Sequence, residues 1–204
     1  MSNNFFKYSY LSFFIMLFFI TICICVFTPI LSTNPSIQLI TNSNKIYNIT
    51  DEFAWPVPNF SYISSYFGYR TSPTIGASTY HSGIDIPASE GSEVIAVMSG
   101  IVVFTQFYGS GGCTIMVQSD NYLIVYSHVS PNYLVSVGQS VIKGQIIATV
   151  GPKNVYGITN NKYKDTYGNP TNGATTGPHL HLTIKKDGIA VNPLDYINFS
   201  SLSQ

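Results

Sequence analysis

Histidine occurs four times in this chain, at positions 81, 128, 179 and 181, and every occurrence lies in a stretch suited to a site. Two of them stand in Thr176-Gly177-Pro178-His179-Leu180-His181-Leu182, ahead of the β-prone run Leu182-Thr183-Ile184 that marks a strand. Side chains alternate along a strand, so His179 and His181 share one face, with Cα atoms about 7 Å apart. One imidazole can hold a metal ion while its neighbour stands beside whatever the ion binds.

A second stretch, His81-Ser82-Gly83-Ile84-Asp85-Ile86-Pro87, supplies an imidazole and a carboxylate. Fully extended, residues four apart are about 13 Å from each other, too far to share one ion. Gly83 and Pro87 make a helix a poor alternative. The spacing therefore predicts a loop turning at Ser82-Gly83 into a strand Ile84-Asp85-Ile86, which brings His81 back beside Asp85. The β-branched neighbours of Asp85 bury its carboxylate, and a buried charge needs a partner or a metal. His81, Asp85 and either His179 or His181 make a three-ligand set. That number suits catalytic zinc, which keeps a fourth position for a water that it acidifies. His128, closing the strand that starts at Tyr122, joins from a third segment as a hydrogen-bond donor or proton carrier.

The elements that must position these residues are short strands. From Phe53 onward, apolar runs alternate with Gly, Pro and Asn, and no sustained helical period appears. Residues 94–97 and 101–107 read as strands around a turn at Ser99-Gly100. Residues 113–118 and 122–128 read as a hairpin turned at Asp120-Asn121. Runs at 141–142, 145–150 and 179–185 complete an all-β, antiparallel sandwich or barrel. Residues 152–176 break this rhythm with a long segment rich in Gly, Asn, Lys and Tyr, and a loop of that length next to a site is expected to border it.

Nine basic and nine acidic residues balance in a chain of 204, which argues against nucleic acid as a partner because phosphates demand a basic footprint. Residues 11–31 carry no charge and are long enough to cross a bilayer as a helix. Lys7 and the amino terminus precede them, which places residues 1–10 in the cytoplasm. A cleaved signal peptide would have a shorter apolar core and a small-residue cleavage site. The organisation expected is a transmembrane anchor at 11–31, a polar linker at 32–52, a domain at 53–199 outside the cytoplasm and a tail at 200–204. Outside the anchor the only cysteine is Cys113, so a zinc site must be built from imidazole and carboxylate.

Taken together and in order, His81-Ser82-Gly83-Ile84-Asp85 and Gly177-Pro178-His179-Leu180-His181 resemble the M23 family of zinc metallopeptidases, the lysostaphin/LytM type. The resemblance extends through Trp55 to Pro58, Ser65 to Arg70, Ala96 to Gly100, Tyr126-Ser127-His128 and Val137 to Gln145, and covers 53–193. It implies a two-layer antiparallel β-sheet domain. It makes His81, Asp85 and His181 the zinc ligands, His179 the general base and His128 the residue that stabilises the tetrahedral intermediate. It implies peptidoglycan peptides as substrate, cut at cross-bridges or stem peptides. The 152–176 segment is longer than the family's usual lead-in to the second motif. Some members are non-catalytic scaffolds or activators that have lost residues of the zinc site, and no such loss occurs here. A zinc endopeptidase is therefore the expectation, with a non-catalytic cell-wall-binding or scaffold module as the alternative.

Overall fold

The computed structural model describes residues 53–197. The expected anchor at 11–31, its lead 1–10, the linker at 32–52 and the tail at 200–204 lie outside the described residues. Among the described residues, no helix is long and apolar enough to cross a membrane.

Eleven strands and two short 3-10 turns make up this region. In chain order the strands are β1 (Gly68–Tyr69), β2 (Tyr80–His81), β3 (Ile84–Pro87), β4 (Glu93–Ile95), β5 (Gly100–Phe107) and β6 (Cys113–Ser119). They continue with β7 (Tyr122–Ser127), β8 (Ser140–Val141), β9 (Ile146–Thr149), β10 (His179–Lys186) and β11 (Ile189–Val191). The main sheet runs β11-β10-β7-β6-β5-β8, with β3 also paired to β10. All of its pairings are antiparallel. On one edge of β10 lies β7; the other edge is shared end to end, β3 along His179 to Leu182 and β11 along Ile184 to Lys186. Two small sheets, β1-β2 and β4-β9, complete the set.

Alternation along these strands sorts the side chains onto two faces. One face is the core: Leu180, Leu182 and Ile184 of β10 are fully buried beside Ile84, Ile86, Ile124 and Tyr126, and Val94 and Ile147 of the β4-β9 sheet belong to the same cluster. Each such aliphatic side chain contributes about 1.5–3 kcal/mol on burial. The opposite face of β10 carries His179, His181, Thr183 and Lys185. Register places Asp85 and Ser127 opposite His181, Val125 opposite Thr183 and Leu123 opposite Lys185.

The hairpin at Asp120-Asn121 forms as expected, with Ser119 paired to Tyr122 and Asp120 at φ 48°. The pairing around Ser99-Gly100 is different. Here β4 pairs with β9 while β5 pairs with β6 and β8, so the two strands are joined in sequence but belong to different sheets. Gly100 accounts for part of the difference. A Cβ there would lie 2.3 Å from the Gln118 carbonyl oxygen, so this glycine serves close approach to β6.

Candidate metal centre

The sharp return after His81 is made by Ser82-Gly83. Gly83 runs so close to β10 that a Cβ would meet the Leu182 carbonyl oxygen at 2.1 Å. This contact lets β3 lie along β10 and sets Asp85 directly opposite His181. His81 Nε2 is then 3.0 Å from Asp85 Oδ1 and 2.9 Å from His181 Nδ1, and His181 Nδ1 is 2.8 Å from the same carboxylate oxygen. The other nitrogens face away. His81 Nδ1 donates to the Tyr66 carbonyl at 2.8 Å, and His181 Nε2 lies 2.9 Å from Thr183 Oγ1.

These outer partners assign the tautomers. A carbonyl only accepts, so His81 carries its proton on Nδ1; the Thr183 hydroxyl is placed to accept from His181 Nε2, the tautomer that leaves Nδ1 bare toward the carboxylate. Burial, the largest influence on His181, favours its neutral form and outweighs the support of Asp85. Burial alone would raise Asp85. The close polar contacts with His181 and His81 and the charge of the surrounding imidazoles nonetheless hold its carboxyl well below the usual carboxylate range. In that tautomer three acceptor atoms face each other at 2.8–3.0 Å with no hydrogen between them. Such an arrangement repels itself unless a cation is shared, and two imidazoles with one carboxylate are a donor set that suits zinc. His81, Asp85 and His181 thus form one candidate metal group.

His179 stands beside this group without entering it. Its Nδ1 donates to the Gly177 carbonyl at 2.9 Å, with Thr175 Oγ1 at 3.3 Å, which leaves a lone pair on Nε2. That atom lies 3.7 Å from Asp85 Oδ1. His128 is buried, and its ring centre is 4.6 Å from that of His179. It adopts φ 60°, a left-handed conformation that costs a β-carbon residue about 1–2 kcal/mol. Its Nδ1 donates to the Asn172 carbonyl at 2.6 Å. Burial, followed by the neighbouring His179 and His181, keeps the His128 imidazole neutral well below its ordinary titration range. All five residues singled out in the sequence therefore meet at one place.

Two residues with supporting parts carried no assigned role in the sequence reading. Arg70 Nη1 donates to Asp85 Oδ2 at 2.9 Å and also contacts Ser65 Oγ, so it steadies the carboxylate from behind. Its signal was available, as one of nine cations in a charge-poor chain. Asn172 is fully buried, and its Oδ1 accepts from the Cys113 amide at 2.7 Å while Nδ2 donates to the Val129 carbonyl at 3.0 Å. It is one of five asparagines in 152–176, and nothing in the sequence separates it from the others.

The 152–176 segment is tied to itself. Asp165 accepts from the amides of Tyr167 and Asn169, and Asn161 Nδ2 donates to the Thr171 carbonyl. Its last residues, with Gly177 and Pro178, line a cleft of about 560 Å³ that also meets Arg70, Asp85 and both His179 and His181. A second cleft of about 300 Å³ opens on the other side of the site, over the free face of β6, β7 and β10.

The sequence profile of peptidase family M23 matches residues 79–193, more than half of the chain. This chain belongs to peptidase family M23. A DD-carboxypeptidase/endopeptidase, Mpg, of Neisseria meningitidis is 31% identical over 66% of this chain and 27% of its own length. The murein hydrolase activator NlpD of Escherichia coli is 34% identical over 61% of this chain and 28% of its own. The chain thus spans about a quarter of the length of these curated relatives. Among solved structures, a zinc-containing peptidase from Vibrio cholerae superposes with a TM-score of 0.55 at 26% identity, over 70% of this chain and 39% of that one. The all-β antiparallel architecture of the described residues matches that of solved M23 peptidases.

Proposed function

We propose that this M23 chain is a membrane-anchored zinc endopeptidase that hydrolyses peptide bonds of peptidoglycan outside the cytoplasmic membrane. The observation that carries the reading is the triangle of lone pairs from His81 Nε2, Asp85 Oδ1 and His181 Nδ1. These three residues would hold zinc, which when bound acidifies a water molecule and polarises a scissile carbonyl. His179 supplies the base. Its Nε2 faces the ligands, and its Nδ1–H on the Gly177 carbonyl stabilises the imidazolium that forms when it takes a proton. The same ring then returns that proton to the leaving amine. His128 lines both clefts and, neutral with its proton on Nδ1, presents the Nε2 lone pair, which would accept a hydrogen bond from a hydroxyl of the tetrahedral intermediate. An extended peptide lying from one cleft to the other passes its backbone over the ligand triangle. The charge-free residues 11–31 support the anchor.

Similarity to a murein hydrolase activator favours one other reading, a module that binds the wall or a partner without turnover. The complete set of five residues favours the enzyme. Purified full-length chain is incubated with zinc and peptidoglycan, and the fragments are read by mass spectrometry. The expected result is one zinc per chain together with new amine and carboxyl ends at a single type of bond. Bound zinc without any new ends would remove the endopeptidase and leave the activator.

A further inference from the structure

We propose that Lys185 makes the second cleft a carboxylate-binding subsite, selecting substrate peptides that carry a free acid a few residues from the bond being cut. The proposal rests on the peptidase reading and names the chemistry its substrate must offer. Met116, Leu123 and Val125 line this cleft with Tyr80 and Tyr108, interspersed with serine and threonine hydroxyls. Charged residues are rare on the chain, and those that line either cleft are Arg70, Asp85 and Lys185. Arg70 and Asp85 are paired with each other. The Lys185 ammonium makes no side-chain hydrogen bond or ion pair among the described residues. The neighbouring cation behaves differently: Lys186 lies over the Tyr122 ring, 5.5 Å from its centre.

Position follows from the strand. Lys185, Thr183 and His181 share one face of β10, and four residues of strand separate Lys185 from the ligand His181 by about 13 Å. An extended substrate advances at about the same 3.3 Å per residue, so the ammonium meets a group two to four residues from the scissile bond. An unpaired ammonium lining a cleft of mixed polar and apolar surface attracts a carboxylate there and gives an uncharged amide no comparable bond. Lysine stems also cover apolar surface with the head left in water, a role that involves no recognition of charge. The two roles respond differently to a change of substrate charge alone.

The test uses two cross-linked muropeptides, identical except that the side carboxyl groups are free acids in one and carboxamides in the other. Zinc-loaded full-length chain is expected to cleave the acid with a kcat/KM about five- to tenfold higher than the amide. Lys185→Met keeps the stem and removes the charge, and its ratio should fall to about 1. Lys185→Arg should keep the preference. Wild-type protein that does not discriminate, or a methionine variant that keeps the wild-type ratio, would overturn the proposal. If neither muropeptide is cut, the endopeptidase reading fails by itself. Calorimetric titration of the same pair then decides the subsite: tighter binding of the acid that is lost in Lys185→Met supports it, and equal binding sinks it.

Discussion

Each of the four imidazoles has one nitrogen committed to an outer partner, which leaves the other for the site. Tyr66, Gly177 and Asn172 provide carbonyls for His81, His179 and His128, and Thr183 provides a hydroxyl for His181. This wiring separates two histidines that stand two positions apart. His181→Ala removes a ligand atom and should abolish zinc retention after dialysis. His179→Ala should keep one zinc per chain and lower kcat by about 10²–10⁴-fold, the usual worth of a positioned base. Parallel metal analysis and kinetics check both, and loss of zinc from the His179 variant would refute the division. The gathering of the histidines was legible from their number and their motifs, and the bend at Ser82-Gly83 from the reach of an extended chain. Ring orientation was not legible from spacing, because the partners that fix it lie as far as 44 positions away in the chain.

At the scale of elements, β10 is the strand on which the site depends, because one strand carries the second motif and pairs with both β3 and β7. The segment feeding into it is held by Asn172, whose side chain ties the end of the long loop to Cys113 and Val129. Asn172→Ala strands a buried amide and a buried carbonyl and should cost about 2–4 kcal/mol of stability, read from the urea midpoint. A loss below about 0.5 kcal/mol would show that the loop is pinned elsewhere. The hairpin of β6 and β7 was legible because its turn and its alternation agree. The partnership of β4 with β9 was not, since the two are about fifty residues apart and local signals favoured the nearer strand. Strands as short as β1, β2 and β11 carry too few residues to show a period.

Across the molecule as a whole, burial of neutral imidazoles fixes the response to acid. His128 and His181 are held below their ordinary titration range, whereas in the unfolded chain they titrate near 6.5. Unfolding therefore takes up protons below about pH 6.5. Stability is full above that value and declines as pH falls, by up to about 2 kcal/mol per histidine at pH 5. Asp85, held far lower, stays ionised throughout this window. Urea midpoints of metal-free protein at pH 7.5 and pH 5 check the sign, and an unchanged or higher midpoint at pH 5 would contradict it. Zinc-loaded protein should fall more steeply, because protons compete with the ion for the same lone pairs. The whole-molecule reading also has a consequence in time. His81 and His181 are 100 positions apart, and the second of them sits on the last long strand. A chain that emerges amino end first must carry its earlier sheet strands, with two of the three ligands, until residues 179–186 arrive to pair with β3 and β7. The metal group is thus incomplete until β10 is made, and a protein stalled or clipped before that strand has no complete ligand set.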